Sequence, residues 1–118
     1  MSEYVIYHNP RCSKSRATLK LLQENGSNPD VRLYLENPPS AKELKSVLQA
    51  LGLSARELLR EGEDEYKRLG LADTRLSEAA IIKAMIENPR LIQRPIVIKD
   101  RMQAVLGRPP ENIRQLLG

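Results

Sequence analysis

The 118-residue sequence predicts an α/β domain on a mixed four-stranded sheet, ordered β-α-β, a helical insertion, then β-β-α. Three observations predict it. Short, β-prone apolar runs stand near the two ends of the chain, at 3–8, 31–35, 95–98 and 102–106. Between the inner two, apolar residues recur at helical spacing behind serine caps. Asn-Pro, Pro-Pro and Gly breaks separate the pieces. The length suits one hydrophobic core, so residues 1–118 are expected to form a single domain.

Residues 3–8 (Glu-Tyr-Val-Ile-Tyr-His) read as a buried strand, and Asn9-Pro10 stops it because Pro lacks the N–H a ladder needs. A helix is expected from about Ser13 to Asn25, with Ala17, Leu21 and Leu22 on or near one face and Gly26 closing it. Residues 31–35 form the second strand, parallel to the first because a helix joins them. After Asn37-Pro38-Pro39, Ser40 and Glu43 have the spacing of a capping box, and Leu44, Val47, Leu48 and Leu51 follow as a helical stripe ended by Gly52. Ser54 and Glu57 repeat the pattern before a short helix through Leu58, Leu59 and Arg60. Residues 63–69 give a further turn or two, closed by Gly70. Ser77 caps a helix carrying Ile81, Ile82, Met85 and Ile86, which Asn88-Pro89 stops. Residues 95–98 and 102–106 form a hairpin turning at 99–102. Pro110 suits the first position of a last helix over 111–117. A mixed sheet of four strands with helices on both faces is the thioredoxin-like arrangement.

Composition excludes several functions. Apolar residues at 41% and charged residues at 29% describe a globular chain, with a core of Leu, Ile, Val and Ala because Trp and Phe are absent and only four Tyr occur. No run approaches the roughly 20 apolar residues that span a bilayer, and the N-terminus lacks the features of a signal peptide. One cysteine forms no internal disulfide. A cytoplasmic protein without membrane partners is expected. The net charge of +4 favours anionic partners, yet there is no basic block and no aromatic platform for stacking bases, so no nucleic-acid partner is expected.

That cysteine, Cys12, lies in Tyr7-His8-Asn9-Pro10-Arg11-Cys12-Ser13-Lys14-Ser15-Arg16, where the first strand gives way to the first helix. A lone cysteine is more often a small buried hydrophobe. Here Pro10, Arg11, Ser13 and Lys14 are not core company. A helix N-terminus offers free N–H groups and positive potential, which favour thiolate over thiol. Arg11, Lys14 and Arg16 add charge, and Ser13 and Ser15 can donate to sulfur. His8 either adds charge when protonated or is a satisfied strand-end histidine. Ser15 stands where a dithiol oxidoreductase has its second cysteine, so a mixed disulfide on Cys12 needs an outside thiol to resolve it.

The run Tyr-His-Asn-Pro-Arg-Cys-Ser-Lys-Ser-Arg resembles the active-site loop of the glutaredoxin-coupled arsenate reductase family. Glu57-Leu58-Leu59-Arg60, Leu91-Ile92-Gln93-Arg94-Pro95-Ile96-Val97 and Leu106-Gly107-Arg108-Pro109 resemble three more of its motifs, and Tyr34–Pro39 and Leu69–Ala72 also fit, so the similarity runs along nearly the whole chain. The resemblance implies Cys12 as nucleophile, His8 tuning its surroundings, and Ser15 hydrogen-bonding the sulfur. It implies Arg60, Arg94 and Arg108 around an arsenate or similar oxyanion, and Pro95 as a cis-proline facing the thiol. Paired guanidinium donors suit a tetrahedral anion. Taken singly, Arg60 also reads as a cation answering a helix C-terminus, and Arg94 and Arg108 as solvated loop cations. The implied activity is reduction of arsenate with glutathione as co-substrate and glutaredoxin as partner, with no metal and no bound cofactor.

The chain departs from the family's fuller members. Only ten residues follow Arg108, and Arg11 and Lys14 stand where small or uncharged residues are usual. It looks closest to the short reductase-like relatives. Two other functions share these features: a glutathione-dependent thiol-disulfide exchange enzyme, and an Spx-type regulator binding RNA polymerase. The regulator's Cys-x-x-Cys switch is disfavoured by Ser15.

Overall fold

The computed structural model describes residues 3–117. The chain packs as two compact units, Met1–Asn37 with Arg94–Gly118, and Pro38–Gln93.

The first unit holds β1 (Tyr4–Tyr7), α1 (Ser13–Glu24), β2 (Asp30–Arg32), β3 (Ile96–Lys99), β4 (Gln103–Leu106) and a closing 3₁₀ helix over Pro110–Gln115. Its sheet has the order β2-β1-β3-β4. β1 runs parallel to β2 and antiparallel to β3, and β3 pairs antiparallel with β4. The mixed sheet expected from the sequence is therefore present. Val97 pairs with Ile6 on one side and Val105 on the other, forming a row across the sheet. Ile6, Val97, Leu22 of α1, Ile113 of the closing helix and Leu116 just after it make one buried cluster, with Val105 packed against it. Each fully buried aliphatic side chain there is worth about 1.5–3 kcal/mol. Tyr4 Oη and Lys99 Nζ both donate to the Leu116 carbonyl, at 3.2 and 2.8 Å, fixing the closing helix to the sheet.

Several boundaries differ from the sequence expectation. β2 ends at Arg32 because the chain turns at Leu33, whose carbonyl accepts from the Glu36 and Asn37 amides. On α1 the buried positions are Ser15, Thr18 and Leu22, while Ala17 is exposed. These three share one face at the 3.6-residue period, and the polar two find partners inside the fold. The closing segment is 3₁₀ rather than α-helical, though Pro110 does sit at its start. The hairpin turns through Asp100 and Arg101, with φ of 52° and 65°. Two left-handed residues match the twist of the flanking strands. Asp100 also exchanges bonds with Glu3, accepting from its amide at 2.7 Å and donating to its carbonyl at 2.8 Å.

The second unit holds α2 (Ala41–Leu51), α3 (Ala55–Leu58), α4 (Asp64–Arg68), α5 (Glu78–Glu87) and a 3₁₀ turn at Pro89–Leu91. Both capping boxes form: Ser40 with Glu43, and Ser54 with Glu57. α3 is shorter than expected. Leu59 leaves it in extended conformation to bridge Ile92, and Arg60 N donates to the Leu91 carbonyl at 2.7 Å. Among the described residues, no helix is long and apolar enough to cross a membrane.

Candidate active site

Cys12 is the N-cap of α1, with extended backbone (φ −94°, ψ 121°), and its amide donates to the Asn9 carbonyl at 3.0 Å. The loop is built by its own polar groups. Asn9 Oδ1 accepts from the Arg11 amide at 3.0 Å, and Arg16 Nη1 donates to the Pro10 carbonyl at 2.8 Å. These bonds turn the chain from the end of β1 into α1 and leave Cys12 half-buried at the junction.

The electrostatics favour the thiolate. Partial burial alone would push the Cys12 thiol up. The Ser15 backbone N–H, the Arg94 side chain, the Lys14 backbone N–H and the Arg94 charge outweigh it, so the thiol lies below its ordinary range. α2, α3, α4 and α5 each carry Glu or Asp in the first turn, whereas α1 carries none. A carboxylate there would compete with the sulfur for the same N–H groups.

His8 and Ser15 form a buried pair. His8 Nδ1 lies 2.6 Å from Ser15 Oγ, and the same oxygen accepts from the Asn9 amide at 3.0 Å. Burial, and secondarily the charge of Arg16, hold His8 below its usual range, so the ring is neutral at pH 7. The Ser15 partner and the burial fit the reading of His8 as a satisfied strand-end histidine. The Ser15 hydroxyl serves His8 and Asn9 rather than the sulfur, and Cys12 makes no side-chain capping hydrogen bond; Ser15 bears on the thiol only through its backbone amide, one of the groups that hold it low.

Arg94 and Arg108 lie in the same unit as Cys12. Arg108 Nη1 donates to the Arg94 carbonyl at 3.2 Å, so one arginine braces the backbone of the other. Asn112 Nδ2 donates to the Leu106 and Arg108 carbonyls at 3.1 and 3.2 Å, holding the turn that carries Arg108. The Arg94–Pro95 bond is cis, as the resemblance implies, and Arg108–Pro109 is cis as well. Arg60 belongs to the second unit, where its Nε lies 3.2 Å from Glu63 Oε1. Glu63 is also bridged by Arg90 Nη2 at 3.0 Å.

The sequence did not single out two tightly packed residues of the first unit. Thr18 is fully buried, and Gly107 packs directly on it. The available signal was a threonine between Ser15 and Leu22 at helical spacing, and a glycine just after a strand that needs no positive φ.

A mixed four-stranded sheet of order β2-β1-β3-β4, with the chain's one cysteine at the N-cap of the first helix, defines a thioredoxin-like protein. Comparison with known proteins narrows this class. The chain belongs to the ArsC family, whose model matches residues 7–116. It is 57% identical over 114 residues to the uncharacterized protein YfgD of Escherichia coli K12, covering 96% of this chain and 95% of that protein. It is 48% identical over 118 residues to an arsenate reductase of Neisseria meningitidis serogroup A, covering 99% and 100%. A solved structure of an arsenate reductase from Vibrio cholerae matches with a TM-score of 0.92 at 51% identity, covering 96% of each chain.

Proposed function

We propose that this protein is a cytoplasmic arsenate reductase that uses Cys12 as nucleophile, glutathione as co-substrate and glutaredoxin as the partner that restores the thiol. The observation that carries the reading is Cys12 at the α1 N-cap with the Arg94 guanidinium beside it. One cation serves two ends there: it favours the thiolate and offers paired N–H donors to an oxyanion.

The thiolate attacks arsenic(V), an S–As bond forms, and one arsenate oxygen leaves as water after protonation. A glutathione thiolate then attacks the Cys12 sulfur. The S–As pair of electrons stays on arsenic, which departs as arsenic(III), and the two sulfurs are joined as a mixed disulfide. Glutaredoxin removes the glutathione by thiol-disulfide exchange, since this chain has no second cysteine to do so. Arg94 and Arg108 hold the anion. The family resemblance assigns Arg60 to the same anion, and Arg60→Ala tests that assignment through arsenate saturation.

The test is NADPH consumption with arsenate, glutathione, glutaredoxin and glutathione reductase, with Cys12→Ala as control. Turnover that needs both arsenate and Cys12 is expected. Cys12-dependent turnover on a glutathione mixed disulfide, with none on arsenate, would replace this reading with thiol exchange.

A further inference from the structure

Gly107 stands apart from the other described glycines. A Cβ at Gly26, Gly52, Gly62 or Gly70 would meet nothing within 4 Å, whereas one at Gly107 would lie 2.5 Å from Thr18 Oγ1, 2.9 Å from Thr18 Cγ2 and 2.8 Å from Pro95 Cγ. Its conformation is open to any residue, so space alone requires the glycine. Neither neighbour yields easily. Thr18 is β-branched and fully buried, and Pro95 is a closed ring in a buried position.

The same three residues are bonded into the two arms of the thiol site. Gly107 N donates to the Pro95 carbonyl at 2.9 Å, which fixes the segment that begins with Arg94. Thr18 Oγ1 donates to the Lys14 carbonyl at 2.8 Å and lies 3.4 Å from the Gly107 carbonyl. The Lys14 carbonyl and the Ser15 N–H belong to one peptide plane. A grip on that oxygen therefore sets the direction of the Ser15 N–H, one of the groups that hold the Cys12 thiol below its ordinary range. It also polarises the peptide, because bonds in a chain strengthen one another.

We propose that Thr18 and Gly107 are positioning residues for the Cys12 thiolate: their contact sets the first turn of α1 against the Arg94–Pro95 segment, so that the Ser15 amide and the Arg94 guanidinium converge on one sulfur. Neither residue touches the reacting atoms. The inference rests on Cys12 being the reactive thiol, but its readout needs no arsenate, so it can fail or stand independently of the proposed reductase activity.

The experiment follows Cys12 alkylation by iodoacetamide against pH in the full chain, with unfolding midpoints measured in parallel. Thr18→Val keeps the shape and removes the hydroxyl. Its inflection is expected to move upward, with alkylation at pH 7 roughly threefold slower than wild type, while Thr18→Ser keeps the wild-type profile. Gly107→Ala is expected to move the inflection the same way. Should it fail to fold, the Thr18 pair decides alone. Wild-type alkylation profiles in Thr18→Val and in folded Gly107→Ala, with only the midpoints lowered, would reduce both residues to packing and overturn the proposal. A Thr18→Ser profile displaced as far as that of Thr18→Val would also overturn it.

Discussion

His8 Nδ1 lies 2.6 Å from the Ser15 hydroxyl, which also accepts the Asn9 amide at 3.0 Å. One serine thus ties the end of β1 to the first turn of α1 across the loop that carries Cys12. His8, Asn9 and Ser15 are all buried. Ser15→Ala would leave the Asn9 N–H and a histidine nitrogen without that partner. A buried polar group left unsatisfied costs about 1–3 kcal/mol. A loss of that size is expected in urea unfolding. The Ser15 backbone N–H survives the substitution, so the Cys12 titration should move less than in Arg94→Ala. An unchanged unfolding midpoint would show that the tie is not structural.

Arg94 and Arg108 should separate by variant. Arg94 acts on the sulfur directly, both as a donor and as a charge, whereas Arg108 braces the Arg94 carbonyl. Arg94→Ala is expected to raise the Cys12 pKa and slow alkylation at pH 7 roughly tenfold, as loss of an adjacent opposite charge does. Arg94→Lys keeps a charge without the planar fork and should fall between. Arg108→Ala should shift the thiol less while weakening oxyanion protection against alkylation. Identical titration curves for wild type and Arg94→Ala would remove Arg94 from thiolate stabilisation.

The hairpin gives a test away from the thiol. Arg101 has φ of 65°, a region in which a residue with a Cβ is strained by about 1–2 kcal/mol. Arg101→Gly removes that strain but adds freedom to the unfolded chain, which offsets part of the gain. A net stabilisation of about 0.5–1 kcal/mol is expected, read as a higher urea midpoint with an unchanged Cys12 titration. A lower midpoint would mean that the Arg101 side chain contributes more than its backbone costs.

Strand pairing and caps were legible because they rest on local chemistry. Asn9-Pro10 stopped β1 in the expected place, and Ser40-Glu43 and Ser54-Glu57 formed the capping boxes their spacing implied. The place of Cys12 at the start of α1 was legible because a strand end and a proline precede it. What escaped depended on tertiary contact. Ala17 looked like a core residue by type, but the buried stripe runs through Ser15 and Thr18, whose polar groups are satisfied by Asn9, His8 and Lys14. Nothing in the residue type of Gly107 distinguishes a glycine needed for space from one needed for a turn. The sequence placed His8 at the strand end but left its charge open; burial there lowers its pKa, which no local pattern signals.

The thiol links function to stability through pH. Cys12 is held below its ordinary range in the folded protein, after burial is outweighed by the Ser15 amide, Arg94 and the Lys14 amide. A group whose folded pKa is depressed favours the folded state once it is ionised. Its contribution is complete above the unfolded value of about 8.5 and is lost as pH falls through the folded value. The stability of wild type minus that of Cys12→Ser should therefore rise with pH across that window and level off above it. His8 is depressed too, and its contribution has the same sign, complete above about 6.5 and lost below. Because Cys12→Ser retains His8, that part cancels in the difference. Repeating the pair in an Arg94→Ala background should flatten the rise, since the largest side-chain source of the depression is gone. Urea unfolding of the four proteins at intervals from pH 5 to 9 measures it, and a flat wild-type difference would contradict a thiolate stabilised by the fold.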